Sequence, residues 1–311
     1  MKLLMASVAG AAAVAALTAS VFAASTPSIP ITFQGMSRRY LLHVPASPSG
    51  VLVIALHGGT QTAEDQQTGT GFDALSDRER FIVAYPDGIE KSWADGRGTT
   101  NADRKHVDDV GFVRAVIADI PKTQPIDRRR VYVTGASNGA IMANRLGCEA
   151  ADTFAAIAPV IGVLPANLLS TCHPTATISV VGIQSITDPI VPFAGGEVGI
   201  GMGISAGGKV AGSRATQELW RSANGCRATP ETTTLPPRVD DGTSVVRRTF
   251  TGCRAGSEVT WYEIQGGGHR WPPRQSSAVM EMALRRVLGV SSQNIDASEV
   301  IWHFFAAHPR A

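Results

Sequence analysis

The stretch Gly135-Ala136-Ser137-Asn138-Gly139 limits the folds open to this chain more than any other feature of its sequence. It follows an apolar run at 130–134 that is typical of a buried strand, and a helical pattern starts at Ile141. Glycines on both sides of Ser137 permit a sharp strand-to-helix turn, which lifts a serine hydroxyl clear of a sheet. The alternative is an ordinary Gly-Ser turn, but the context favours a nucleophilic serine.

Short apolar runs alternate with helical patterns along the rest of the chain, the order that builds a mostly parallel sheet flanked by helices. Strands are predicted at 40–44, 51–56, 81–85, 130–134, 155–159, 177–181 and 258–264. Helices are predicted at 72–80, from Asp108-Asp109 through Ile117, after Ser137, and from Asp296, where Glu299 would complete a capping box. No repeat and no linker interrupts this order, so residues 24–311 are expected to form a single α/β domain.

Residues 1–23 combine one lysine, an alanine-rich apolar stretch and the small-residue end Val21-Phe22-Ala23. This pattern predicts a secretory signal peptide that is cleaved after Ala23, leaving an exported protein with no membrane anchor. An uncleaved anchor is the alternative, because the apolar stretch approaches the length that spans a bilayer.

The formal net charge of the chain is only +2, with both signs interspersed. The arginines at 128–130 stand just before a predicted buried strand, where a solvated turn explains them better than a phosphate-binding patch. We therefore expect no nucleic-acid partner. The glycine-rich stretch at 195–212 does not complete the GxGxxG spacing and is predicted to be a mobile loop beside the active site.

Four cysteines in an exported chain indicate two disulfides. They are Cys148, Cys172, Cys226 and Cys253, and three pairings are possible. We favour Cys148 with Cys172 and Cys226 with Cys253, since each bond closes a loop of moderate length. The alternative is four buried free thiols, and the spacing does not resemble a zinc site.

A nucleophilic serine needs a base, and seven histidines compete for this role. They are His43, His57, His106, His173, His269, His303 and His308. His269 stands out because it follows Gly266-Gly267-Gly268 directly after a predicted strand, in the chain order of serine, acid and histidine that α/β-hydrolases use. A surface or packing histidine is the alternative.

The acid should lie in a loop that follows a strand between Ser137 and His269. Asp188 fits, because Pro189 fixes the turn after a predicted strand. Asp240 and Asp241 lie in a polar turn and Glu263 lies inside a predicted strand, so these three fit less well.

Two backbone N–H groups are candidates for an oxyanion hole. Leu56-His57-Gly58-Gly59-Thr60 closes a central strand with a glycine loop, and the N–H of Gly59 is the first donor that we predict, with Thr60 as the substitute. The second is the N–H of Asn138, directly after the nucleophile. His57 is expected to shape the loop, and a plain tight turn is the alternative.

These motifs together resemble the secreted polyhydroxybutyrate depolymerase and feruloyl esterase family of α/β-hydrolases, over nearly all of the mature length. The matching pieces are Arg39 to Pro45, Leu56 to Gly59, Asp109 to Phe112, Val131 to Gly139, Asp188 to Phe193, Asn224 to Cys226 and Gly266 to Pro272. The sequence departs from the family pattern at Gln184-Ser185-Ile186, where His-Gly-Thr is common, and at Ala140 and Pro273, where glycine is common.

The resemblance implies an α/β-hydrolase fold and a triad of Ser137, Asp188 and His269 that cleaves carboxylic esters through an acyl-enzyme, with no metal or cofactor. The implied substrates are hydroxyalkanoate polyesters or oligomers, or feruloyl and acetyl esters of polysaccharide. Trp271, two residues past the base, is a candidate substrate wall or a core residue, and Trp93 is a weaker candidate for the same wall. A secreted serine peptidase and a catalytically silent binding protein are the alternatives.

Overall fold

The computed structural model describes residues 26–199, 205–274 and 278–311, and the predicted signal peptide at 1–23 lies outside these ranges. The strands, in chain order, are β1 (Ser28–Phe33), β2 (Met36–His43), β3 (Leu52–Leu56), β4 (Ile82–Pro86), β5 (Val131–Ala136), β6 (Ala156–Val160), β7 (Ser179–Ser185), β8 (Gly196–Gly199), β9 (Ser205–Val210), β10 (Glu231–Thr234), β11 (Ser244–Phe250) and β12 (Val259–Gln265). The α-helices are α1 (Ala63–Thr70), α2 (Phe72–Glu79), α3 (Asn101–Arg104), α4 (Asp109–Asp119), α5 (Asn138–Glu149), α6 (Ser213–Ala223), α7 (Ala278–Leu288) and α8 (Ala297–Ala307).

Ten of these strands form one sheet, in the order β1-β2-β4-β3-β5-β6-β7-β12-β11-β10. The six central strands of the sheet, which are β4, β3, β5, β6, β7 and β12, are parallel to one another. At each edge of the sheet, two further strands are added by antiparallel pairing. Strands β3 to β7 are buried along their whole length, as continuous apolar runs predict for parallel strands covered on both faces. The predicted mostly parallel sheet is confirmed.

Helices cover both faces of the sheet. Phe112 of α4, Met142 of α5 and Trp220 of α6 belong to the apolar core on one face. On the other face, α2 and α8 pack against the sheet, where Phe305 stacks on Tyr132 with ring centroids 4.6 Å apart. Because the strand carboxyl ends lie at one edge of this covered sheet, the loops that follow them are brought together there.

Each predicted strand and helix has a counterpart in the structure, with ends shifted by a few residues. The predicted cap of α4 is confirmed, because the side chain of Asp108 accepts a hydrogen bond from the N–H of Gly111. The predicted capping box of α8 is only half present. Asp296 accepts from the N–H of Glu299, but the Glu299 carboxylate pairs with Arg78 instead of turning back to the cap.

Two disulfides join Cys148 to Cys172 and Cys226 to Cys253, the pairing that the sequence favours. The first ties the end of α5 to the loop before β7, and the second ties the segment after α6 to the segment after β11. In the parts of the chain that the structure describes, no helix has the length and apolar character to cross a membrane.

The predicted glycine-rich loop is in part regular. Strands β8 and β9 form an antiparallel hairpin within 195–212, and residues 200–204 lie outside the described ranges.

Candidate active site

Ser137 lies at the turn between β5 and α5 with φ of 54° and ψ of −116°, a backbone conformation that few non-glycine residues adopt. The turn is tight because its glycines have no room for a side chain. A Cβ on Gly139 would lie 2.4 Å from the carbonyl oxygen of Leu56, and one on Gly135 would lie 2.6 Å from the Gly139 backbone. The sequence prediction of a strand–turn–helix at this serine is confirmed.

Three side chains from separate strand ends are hydrogen bonded in a line. The Ser137 Oγ lies 2.8 Å from Nε2 of His269, and Nδ1 of His269 lies 2.8 Å and 3.0 Å from the two oxygens of Asp188. Both the histidine and the aspartate are buried. With the proton of the ring on Nδ1, facing the carboxylate, the lone pair of Nε2 faces the serine hydroxyl and can accept its proton.

The Asp188 carboxylate is held by its own loop. Its Oδ1 accepts the N–H groups of Ile190 and Val191, at 2.8 Å and 2.9 Å. These bonds form because the loop turns back at Pro189, as the sequence predicts.

His269 is held by the last residue of α7 and the segment that follows it. Its N–H donates to the carbonyl of Leu288 at 2.6 Å, and the N–H of Gly268 donates to the carbonyl of Val290 at 2.8 Å. A Cβ on Gly268 would lie only 2.0 Å from the Leu288 carbonyl oxygen, so the close approach requires glycine there.

The side chains rejected as acids have other partners. Asp241 accepts hydrogen bonds from Thr243 and from the N–H of Gln293, and Glu263 pairs with Arg214. Neither lies against His269, whose Nδ1 faces Asp188.

In the glycine loop after β3, the N–H groups on both sides of Gly59 have acceptors within the protein. Gly58 donates its N–H to the side chain of Gln61, and Thr60 donates its N–H to the carbonyl of Lys91. The substitute donor Thr60 is therefore engaged, which leaves Gly59. Asn138 is the first residue of α5, and the N–H groups of a first helical turn have no acceptor within their helix.

His57 supports this loop from inside the protein. It is fully buried, its Nδ1 lies 2.8 Å from the carbonyl oxygen of Gly58, and its Nε2 accepts the N–H of Gly88 at 2.9 Å. Burial lowers the pKa of the imidazole. The predicted role of His57 in shaping the loop is confirmed.

The two tryptophans of the predicted substrate wall differ. Trp271 borders the active-site cavity, but it is mostly buried, packs edge-on against Phe72 and donates its indole N–H to Ser298. It is therefore both a core residue and part of the wall.

The prediction that Trp93 lines the wall is wrong. Trp93 is fully buried and donates its indole N–H to the carbonyl of His57. Its backbone N–H donates to the side-chain oxygen of Asn138. The indole of Trp93 fills part of the apolar core behind the glycine loop that follows β3.

Ser137 and His269 open onto a cavity of about 720 Å³. Its wall includes Gly59 and Asn138 from the predicted oxyanion loops, and Val198 and Gly207 from the β8–β9 hairpin. The predicted position of the glycine-rich stretch beside the active site is thus confirmed.

Behind this wall lies a buried ion pair that no sequence motif indicates. Asp95 is fully buried, accepts from Nδ2 of Asn138 at 2.6 Å and pairs with Arg97 at 2.7 Å. Burial raises the pKa of the Asp95 carboxyl, and the charge of Arg97 opposes that rise. Arg97 itself borders the cavity.

The sequence model of the family described as "Esterase PHB depolymerase" matches residues 39–198, about half of the chain. The chain belongs to this esterase family. A protein named as an esterase, NocK, from Nocardia uniformis subsp. tsuyamanensis is 31% identical over 258 residues, which cover 80% of this chain and 75% of that protein. This member of the PHB depolymerase esterase family is a carboxylic-ester hydrolase.

Two further relatives align with parts of their length. Feruloyl esterase B of Piromyces equi is 27% identical over 75% of this chain, a match that spans 42% of that protein. Poly(3-hydroxyalkanoate) depolymerase C of Paucimonas lemoignei is 31% identical over 39% of this chain and 30% of its own length.

The solved structure of an acetyl xylan esterase from Aspergillus awamori superposes with a TM-score of 0.61, covering 90% of this chain and 99% of that one at 15% identity. The likeness shows the fold, and the predicted α/β-hydrolase architecture is confirmed.

Proposed function

We propose that the protein is an exported serine esterase that works through a covalent acyl-enzyme on Ser137. The observation that carries the proposal is the unbroken line of hydrogen bonds from Ser137 through His269 to Asp188, which opens onto a cavity large enough for an ester substrate.

The geometry supports an assigned role for each group. Nε2 of His269 takes the proton of the Ser137 hydroxyl as the oxygen attacks the ester carbonyl, and returns that proton to the leaving alcohol. A water molecule, deprotonated by the same nitrogen, then releases the acid. Asp188 holds the ring in the tautomer with its proton on Nδ1 and stabilises the imidazolium that forms in each half-reaction.

The carbonyl oxygen becomes negatively charged in both tetrahedral intermediates. We assign its two donors to the N–H groups of Gly59 and Asn138. A preorganised donor of this kind is typically worth about 3 kcal/mol of transition-state stabilisation.

We also propose that residues 1–23 direct export and are removed, and that 24–311 form one catalytic domain. The two disulfides support export, because such bonds persist in oxidising compartments.

The proposed substrates are esters of the kinds that the relatives' names record, namely poly(3-hydroxyalkanoate) or its oligomers, or feruloyl and acetyl esters of xylan-type polysaccharide. Apolar side chains such as Ile161, Val198 and Trp271 border the cavity and suit an aliphatic or aromatic acyl group.

Product release from methyl ferulate and from a polyhydroxybutyrate suspension tests the assignment, with Ser137→Ala as the blank for both. Release of ferulate alone would identify a cell-wall esterase, and release of hydroxybutyrate alone a polyester depolymerase. If the wild type matches the blank on both and also on a short-chain ester, the esterase proposal fails.

A further inference from the structure

The active-site cavity is bordered by charged side chains that the proposed triad does not use. Three arginines and one carboxylate border the cavity, and they are Arg97, Arg270, Arg274 and Asp65. Their partners decide which charge is available to a ligand.

Three of the four charged groups are engaged by the protein. Arg97 pairs with Asp95 at 2.7 Å, and Arg270 pairs with Glu281 at 2.6 Å. The Asp65 carboxylate accepts the N–H and hydroxyl of Thr62 in the cap of α1. Within 26–199, 205–274 and 278–311, the guanidinium of Arg274 has no hydrogen bond or ion pair.

Arg274 lies against helix α1 at a glycine. A Cβ on Gly69 would come within 3.0 Å of Nη1 of Arg274, so the guanidinium rests directly on the backbone of this helix. Gln66 lies one turn earlier on the same face of α1, since residues three apart in a helix are neighbours. Both residues border the cavity.

Gln66 provides a second, independent sign of a ligand. The residue is only 3% exposed, and its Nε2 has no hydrogen-bond partner in the described part of the chain. An unpaired buried amide is costly, and such groups are commonly explained by a ligand or an ordered water. Gln66, within α1, and Arg274, which lies against α1 at Gly69, therefore both border the cavity beside this helix.

We infer that the part of the cavity beside α1 binds a free carboxylate on the substrate, an inference that rests on the proposed esterase function. A guanidinium fork matches the two oxygens of a carboxylate, and an amide adds a third donor. The substrate class is an ester whose alcohol part is itself a hydroxy acid, as in a short hydroxyalkanoate oligomer with a free acid end.

The position of Arg274 agrees with the direction of the reaction. The alcohol part of the ester leaves toward the group that protonates it, which is His269 in the proposed mechanism. Arg274 lies in the segment that follows His269 and Trp271, and all three residues border the cavity. We therefore assign the carboxylate of the leaving hydroxy acid, rather than a group on the acyl part, to Arg274.

Two substrates that differ only in this charge test the inference. They are the dimer of 3-hydroxybutyrate with its free acid and the methyl ester of the same dimer, with cleavage of the internal ester followed by chromatography. For the wild type we expect a higher kcat/KM for the acid. In Arg274→Gln the ratio of kcat/KM for the acid to kcat/KM for the methyl ester should fall about tenfold or more. A change of this size is usual for the loss of a hydrogen bond to a charged group. We expect it to arise chiefly from a higher KM for the acid.

Arg285→Gln is the matched control. It removes one positive charge from the exposed side of α7, outside the cavity wall, and should leave the acid-to-methyl-ester ratio unchanged. Arg274→Lys should keep part of the preference, because a lysine retains the charge without the planar fork.

Calorimetric binding to the Ser137→Ala protein separates this inference from the esterase proposal. The acid dimer should bind about tenfold more tightly than its methyl ester, and Arg274→Gln in the same background should remove the difference. Equal binding of the two dimers, or an equal loss for both in the Arg274 variant, would overturn the carboxylate site even if the wild type is an active esterase. Failure of the wild type to cleave any ester above the Ser137→Ala blank would instead count against the esterase proposal.

Discussion

The amide nitrogen of Asn138 donates a 2.6 Å hydrogen bond to the buried carboxylate of Asp95. The same amide also bonds both backbone groups of Trp93, with Nδ2 directed at its carbonyl and Oδ1 accepting its N–H. Asn138 therefore begins helix α5 with its side chain fixed on three sides. Because the side chain and the backbone N–H belong to the same residue, these hydrogen bonds also hold the position of the N–H that we assign to the oxyanion.

Replacing Asn138 by aspartate should destabilise the protein in a pH-dependent way. The new carboxylate would lie beside Asp95, and two adjacent carboxylates cannot both ionise without cost, so the folded protein would hold a proton that the unfolded chain has lost. A pKa raised in the folded state means that stability falls as pH rises. We expect a loss of about 2–4 kcal/mol in unfolding free energy that is larger at pH 8 than at pH 5.

Denaturant unfolding at both pH values measures this effect, with Asn138→Ala as the control that loses the same bonds without adding charge. The same pH dependence in both variants would show that Asp95 does not interact with position 138.

His57 should make the wild type less stable in mild acid. Burial lowers the pKa of this imidazole, and its Nε2 must stay unprotonated to accept the N–H of Gly88. A pKa lowered in the folded state gives stability that is fully present above the unfolded value near 6.5 and is lost as pH falls below it. The limiting slope for one proton is about 1.4 kcal/mol per pH unit.

Unfolding free energies at pH 7.5, 6 and 5 would reveal this slope, and His57→Gln should have a shallower decline than the wild type. Parallel curves for the two proteins would contradict a buried neutral His57.

Asp188→Asn should lower kcat on a short-chain ester by roughly 10³- to 10⁴-fold with little change in fold, because an amide no longer favours the tautomer with the proton on Nδ1. Asp240→Asn is the matched control, since this exposed residue was one of the other acids that the sequence offered. An equal loss in the two variants would remove Asp188 from the triad.

Each disulfide should stabilise the protein by about 3 kcal/mol through the loops of 24 and 27 residues that they close. Reduction should lower the melting temperature of the wild type, and the Cys148→Ser/Cys172→Ser protein should lose about half of that response. A melting curve that reductant leaves unchanged would mean that the bonds are absent from the protein in solution.

The sequence alone was sufficient to locate the candidate catalytic residues that follow the ends of strands. Strands β3 to β7 are continuous apolar runs, so their carboxyl ends, and with them Ser137 and Asp188, could be located from composition and chain order. His269 was recognisable because it follows three glycines directly after a predicted strand, in the chain order of serine, acid and histidine. The close contact between Gly268 and Leu288 became evident only in the structure.

What the sequence did not predict depends on contacts between distant segments. The edge strand β1 alternates exposed and half-buried residues and has no apolar run, and α1 has few apolar residues to mark it as a helix. Asp95 lies in an irregular loop, and its partner Asn138 is 43 residues away. Trp93 was misassigned because an indole near a strand end is equally suited to a cavity wall and to the core, and only packing distinguishes the two.

Covalent labelling would show whether Ser137 is the nucleophile. The folded wild type would be treated with a fluorophosphonate, and the modified residue located by intact mass and peptide mapping, with Ser137→Ala as the comparison. If Ser137 is the nucleophile, we expect one adduct per chain, on the peptide that contains Ser137, with parallel loss of esterase activity and no adduct in the variant. An active wild type that is not labelled, or that is labelled at another serine, would contradict this assignment.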